Sequence, residues 1–175
     1  MSDWRVGGAT KDKQSITADW TRTPSELIDG VRVIEIANVV KDNGHLTEIF
    51  RASWAGETAS RVEQVFQAVL NRGAISAWHA HEKTNDRLFV SFGTARIVLY
   101  DDREESPTRG MINEFRFGTI RPALIIVPTR VWHGLQNIDD GVTIVLKLVD
   151  RAYEYEDPDH WRVPFDSAAI PFKFQ

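Results

Sequence analysis

From Val31 onward the chain alternates apolar and polar residues in short runs separated by turn-forming residues. Such a period of two puts successive side chains on opposite faces of a strand. Residues 31–36, Val-Arg-Val-Ile-Glu-Ile, are β-branched and largely alternating, which predicts a first strand. Asp42-Asn43-Gly44 is a hairpin turn by composition, because Asn and Gly tolerate positive φ, and residues 45–53 read as the returning strand. Further strands are expected at 62–70, closed by Asn71-Arg72-Gly73, and at 74–81, 87–92, 95–100, 115–117, 123–127 and 142–149, with a polar loop over 103–110. Short strands at this spacing indicate an all-β sandwich or barrel. Residues 1–30 read as an irregular extension with a short helical turn over 24–30, ended by Gly30. The barrel is expected over 31–150. The charged, aromatic tail, 151–175, is expected to form one short helix over 151–161 and to pack on the barrel or on a partner subunit.

Composition adds limits rather than detail. A chain of 175 residues forms one domain with a real core, and 42% apolar with 26% charged residues is ordinary for a soluble globular protein. The net charge of −4 gives no electrostatic reason to expect nucleic acid or an anionic membrane as partner. There is no cysteine, so disulfides and thiolate chemistry are excluded. Met1-Ser2-Asp3-Trp4 carries no basic-then-apolar signal and no apolar run approaches a membrane span, so a soluble cytoplasmic protein is the expectation.

Candidate chemistry concentrates in one pattern. Three of the five histidines fall in His79-Ala80-His81, Asp86, Gly93, Pro128, His133 and Asn137. His79 and His81 share a strand face, and His133 joins them only if the sheet folds back on itself. The pattern therefore predicts a barrel with a polar cluster at its mouth. His79, His81 and His133 with the Asp86 carboxylate make a 3-His-1-carboxylate set suited to a divalent transition metal: Fe, Mn, Ni, Cu or Zn. Glu82 follows His81 directly and points to the other face. Lys147, inside an apolar run, favours a lumen-facing place.

Gly73, His79-x-His81, Asp86 and Gly93 resemble the first motif of the cupins, with Asp86 where that motif has Glu, and Pro128-x-Arg130-x-x-His133-x-x-x-Asn137 is similar to the second, with Arg130 for its usual Gly. This resemblance implies a double-stranded β-helix (jelly roll) with its site in the lumen, commonly as a homodimer. More narrowly, Asp42 to Arg51, Ser106-Pro107-Thr108-Arg109-Gly110, Val127 to Gly134 and the tail around Tyr153 and Asp166 resemble the dTDP-4-dehydrorhamnose 3,5-epimerases. That resemblance implies a base at His79, a basic residue opening the next strand at Arg87, the second-motif His at His133 and a tail acid at Tyr153. The chain departs from the family pattern at several places: Ser76 and Asn43 stand where it has Arg, Leu146 or Lys147 where it has a second Tyr, and His81 where it has Gln. No counterpart is expected for the C-terminal carboxylate that pairs with the family's catalytic His. Trp78-His79-Ala80-His81 with Val131-Trp132-His133 is also similar to the sugar 3,4-ketoisomerases.

Epimerisation next to a ketone needs a base, an enolate stabiliser and an acid on the opposite face. Imidazole suits the base, Tyr returns a proton, and Arg or Lys holds the oxyanion. The reading is a sugar-nucleotide epimerase or isomerase acting on a 4-keto-6-deoxy sugar and needing no cofactor. Its expected site is His79, His133 and Tyr153, with Arg87, Lys147, Glu48, Arg51 and Arg130 as substrate contacts and Trp78 or Trp132 stacking on base or sugar. Two alternatives stand beside it: a metal-dependent oxygenase or lyase using His79, His81, Asp86 and His133, and a non-catalytic sugar-binding cupin.

Overall fold

The structure, a computed structural model, describes residues 4–54 and 61–175. The alternating runs form β1 (Arg32–Glu35), β2 (Asn38–Lys41), β3 (Gly44–Thr47), β4 (Gln64–Leu70), β5 (Ile75–Ala80) and β6 (Asp86–Phe92). They continue as β7 (Thr94–Asp101), β8 (Ile112–Gly118), β9 (Ala123–Val127), β10 (Val131–Asn137), β11 (Thr143–Val149) and β12 (Trp161–Arg162). One five-stranded sheet runs β1-β9-β6-β11-β4 and a second runs β12-β5-β10-β7-β8, while β2 and β3 pair only with each other. Every pairing is antiparallel. This is the all-β architecture that the alternation implied, in the jelly-roll form that the cupin resemblance implied.

The helical expectations fail. Among the described residues the helical element is a single 3-10 turn, Ala52–Trp54, where the returning strand was expected to continue past Thr47. Residues 24–30 close in a turn with Gly30 at φ 79° rather than in a helix. The stretch 151–160 is irregular, and Trp161 opens β12. Pro158 removes a helical N–H there, and Asp159 is committed elsewhere: its carboxylate accepts from the backbone N–H of Glu82 (2.7 Å) and Lys83 (2.9 Å) and from Thr84 Oγ1 (2.8 Å).

Between the sheets lies the core, built from alternate inward residues such as Leu88 and Val90 of β6, Ile97 and Leu99 of β7, Phe115 and Phe117 of β8, and Val145 of β11. The second sheet is also apolar on its outer face. There Trp78, Val98 and Tyr100 are covered by Ile170, Phe172 and Phe174 of the tail. The Trp78 ring is fully buried, 5.1 Å from Phe174 and 6.1 Å from Phe172. Gly134 makes this closeness feasible, since a Cβ there would sit 2.6 Å from the Ala77 methyl and 2.8 Å from the Phe174 ring.

The loop after β7 is tied rather than loose. Buried Asp101 accepts from Arg103 Nε (2.8 Å) and Nη2 (2.9 Å) and from Thr108 Oγ1 (2.7 Å). Burial works against its charge, but the hydrogen bonds from Arg103, Ser106 and Thr108 outweigh it and hold the carboxyl well below its ordinary range. Ser106-Pro107-Thr108 thus shapes this turn. No helix among the described residues is long and apolar enough to cross a membrane.

The tail's grip rests on Trp78. Trp78→Ala is expected to lower stability by about 3–5 kcal/mol, read as a shift in denaturant midpoint; a change under about 1 kcal/mol, the usual scale for a surface site, would show that the tail packing is not stabilising.

Candidate functional site

At one end of the sandwich the apolar core gives way to a polar cluster fed by both sheets. β5 and β10 bring His79 and His133 face to face as direct register partners, and His81 follows at the end of β5. From the other sheet, β6 supplies Asp86 and β11 supplies Lys147. Lys147 pairs with Leu88 across the ladder and so shares the face of Asp86, two residues away.

Asp86 is the hub. Its Oδ2 lies 3.1 Å from His133 Nε2, 3.5 Å from His81 Nε2 and 3.4 Å from Lys147 Nζ. Burial opposes its ionisation, yet the Lys147 charge and the two rings override that and hold the carboxyl well below the ordinary range. The His133 Nδ1–H donates to the Val131 carbonyl at 3.3 Å, and the His81 Nδ1–H donates to the Asp159 carbonyl. Both Nε2 atoms are buried and close to Asp86 without being lined up for a hydrogen bond. Two imidazole nitrogens and a carboxylate oxygen therefore converge on an electron-rich spot, and the Lys147 ammonium is the cation beside it. For His133, burial pushes the pKa down. For His81, burial is outweighed by Asp86 and by the Asp159 carbonyl, and the pKa is raised.

His79 stands apart from this hub. Ser76 Oγ is 3.1 Å from its Nε2, and His160 Nε2 is 2.9 Å from its Nδ1. Burial, then the charges of His133, Lys147, His160 and Arg162, bring the His79 pKa down to about 3. His160 itself is lowered to about 4, by burial and then by His81 and Arg162. Both rings are neutral at pH 7. The candidate metal-ligand group is accordingly His81, Asp86 and His133, whose donor atoms lie within 4.8 Å of one another. The expected 3-His-1-carboxylate set is corrected, because both nitrogens of His79 are engaged elsewhere.

A cavity of about 300 Å³ opens beside the cluster. His81, Asp86, Lys147, Tyr153, His160 and Arg162 are among its lining residues, whereas His79 and His133 sit behind them. Several other expected contacts lie elsewhere. Asp86 points inward, so Arg87 points outward, where it is buried beside Phe50 and donates to the Leu148 carbonyl at 3.3 Å. By the same alternation Trp78 faces the tail, and Trp132 packs in that cluster. Glu48 and Arg51 form an exposed bidentate pair (2.7 and 2.9 Å) away from the cavity. Arg130, at φ 64°, pairs with Glu82 at 3.1 Å on a separate surface depression. Sequence reasoning missed Asp159, His160 and Arg162. The available signal was a period-two His-x-Arg in a segment taken for helix.

Known proteins agree with this architecture. The sequence profile described as dTDP-4-dehydrorhamnose 3,5-epimerase matches residues 25–173. Over 140 residues the chain is 34% identical to a probable low-salt glycan biosynthesis epimerase of Haloferax volcanii, covering 79% of this chain and 89% of that protein. It is 31% identical over 151 residues to the spore coat polysaccharide biosynthesis protein SpsL of Bacillus subtilis, covering 85% and 97% of the two. A solved dTDP sugar isomerase from Desulfovibrio desulfuricans shares the fold with a TM-score of 0.76 at 24% identity, covering 83% of this chain and 91% of that one. By the profile and the two sequence relatives, the chain belongs to the dTDP-4-dehydrorhamnose 3,5-epimerase family, enzymes of the sugar-nucleotide epimerase type that need no cofactor.

Proposed function

We propose that this protein epimerises a nucleotide-activated 4-keto-6-deoxy sugar by moving a proton at a carbon next to the ketone. The observation that carries this is the hydrogen-bonded imidazole pair of His79 and His160 beside a cavity that also presents a lysine and a tyrosine. An imidazole of the pair takes the α-proton. Lys147, buried on the cavity wall, meets the enolate oxygen as charge develops there. Tyr153, half-exposed on the same cavity, returns a proton. Lys83, Arg151 and Arg162 line the cavity and suit a diphosphate, in place of Arg51, Arg87 and Arg130. The volume is at the small end for ligand sites, so it takes the sugar while the nucleotide extends outward. A homodimer fits the exposed apolar row of Val65, Val69 and Phe92 on the outer face of the first sheet.

One observation favours a second reading. His81 and His133 have their Nδ1–H groups pinned on backbone carbonyls and their Nε2 atoms turned toward Asp86, which is how hydrogen bonds to the far ring nitrogen orient metal-binding imidazoles. Those three side chains would hold a divalent transition ion, which would polarise the ketone as a Lewis acid. Lys147 speaks for the metal-free reaction, since it already supplies the cation at the same carboxylate oxygen.

Three outcomes are expected. With a dTDP-4-keto-6-deoxy sugar in D2O, NMR should show deuterium entering next to the ketone, and His79→Ala should slow this by about 10²–10⁴-fold; tight binding with no exchange in the native protein would support a sugar-binding module instead. Elemental analysis of protein purified without chelating resin should find no stoichiometric metal, and dialysis against a chelator should leave exchange unchanged. A stoichiometric ion that disappears in His81→Ala would establish the metal reading. The third concerns pH. His79 gains its proton only near pH 3 when folded and near 6.5 when unfolded, so the unfolded chain binds more protons between those values. Stability should therefore fall as pH drops through that window, with a shallower fall in His79→Gln, and the acid limb of kcat/KM should lie near pH 4 or below rather than at 6.5.

A further inference from the structure

The tail brings a fourth imidazole to the lumen mouth. β12 adds to the edge of the second sheet with Trp161 opposite Ala80 and Arg162 opposite His79. His160 then stands over both β5 imidazoles, its ring 4.9 Å from that of His79 and 5.2 Å from that of His81. The two members of the hydrogen-bonded pair are not equally accessible. His79 is 7% exposed and does not line the cavity, whereas His160 does. Both nitrogens of His79 are used, by Ser76 and by His160. His160 Nδ1 has no hydrogen bond among the described residues.

We propose that His160 is the imidazole that exchanges the proton with the substrate, and that His79 and Ser76 stand behind it as positioning residues. The inference rests on the epimerase reading and says which side chain acts in it. In the productive tautomer His79 donates Nε2–H to Ser76 Oγ, and its Nδ1 accepts the Nε2–H of His160. That arrangement leaves a lone pair on His160 Nδ1. The C–H bond next to the ketone breaks, its proton moves to Nδ1, and its electron pair moves into the carbonyl to give the enolate. The imidazolium so formed is held by the His79 Nδ1 lone pair. On return, an acid on the opposite face gives up a proton and a C–H bond forms with inverted configuration, while His160 later releases its proton to solvent. No oxidant or reductant is needed. Arg162, two residues along the same strand face, places a guanidinium on the same cavity.

The decisive experiment measures deuterium exchange into a dTDP-4-keto-6-deoxy sugar by the native protein, His160→Ala, His160→Gln and His79→Ala, with dTDP affinity and circular dichroism as controls. Both His160 variants should lose about 10²–10⁴-fold in exchange while keeping the fold and dTDP binding. His160→Gln still offers an amide N–H to His79, so a purely structural role would leave it active. Added imidazole should restore part of the rate in His160→Ala, whose vacated site faces the cavity, and none in His79→Ala. The double variant should be no slower than the worse single one, because the two rings act as a unit. Near-native exchange in His160→Gln, or imidazole rescue of His79→Ala instead, would overturn the proposal and leave the epimerase reading intact. Absence of exchange in the native protein would overturn both.

Discussion

A single desolvated carboxylate disciplines the open end of this jelly roll. Asp86 is 2% exposed, and a buried charge of that kind is tolerated only with close compensation. Its compensators come from three different strands or strand ends: Lys147 from β11, His133 from β10 and His81 past β5. β6 and β11 belong to one sheet, β5 and β10 to the other. The charge therefore ties the two sheets together at the lumen mouth, beside the core residues Val127 and Val131. Removing any partner leaves the others uncompensated, and for that reason the cluster behaves as one unit rather than as separable contacts.

The same end of the barrel also separates two kinds of imidazole. His81 and His133 are bound into the Asp86 hub, with His81 pushed toward its charged form. His79 and His160 lie outside that hub and are kept neutral by burial and by the surrounding cations. Rings within 4.9–6.0 Å of one another thus carry opposite protonation tendencies. The difference follows from the balance between burial and the Asp86 carboxylate, which favours the charged form at His81 but not at fully buried His133, and needs no difference in residue type.

Much of this was legible in the chain. The run Ala123–Val127 is apolar and bounded by turns, and it is β9 without adjustment. His79 and His81 face the same way because alternation demands it. β10 is hidden in the sequence because polar His133 and Asn137 alternate with Val131 and Leu135 on its inward face and Gly134 interrupts the run. Alternation also explains two misplacements. Trp78 cannot share a face with His79, nor Arg87 with Asp86, so neither side chain reaches the lumen cluster. His160 had only the period-two His-x-Arg as a local signal, and that says nothing of where the segment docks. Its place depends on Asp159 capping the β5–β6 loop and on Phe172 and Phe174 docking on Trp78, contacts made across about half of the chain's length.

That docking has a temporal side. The barrel strands that carry His79, His81, Asp86, His133 and Lys147 all precede the tail in the order of synthesis. The tail reaches the ribosomal exit after them, and its Phe174 must settle against Gly134 and Trp78 while β12 adds to the edge of β5. A nascent chain whose barrel strands have emerged therefore still lacks the cavity wall formed by residues 151–162 and the Asp159 carbonyl that holds His81. Competence for chemistry therefore waits on the docking of residues 151–162, which complete the reaction chamber only after every strand of the hub has been made.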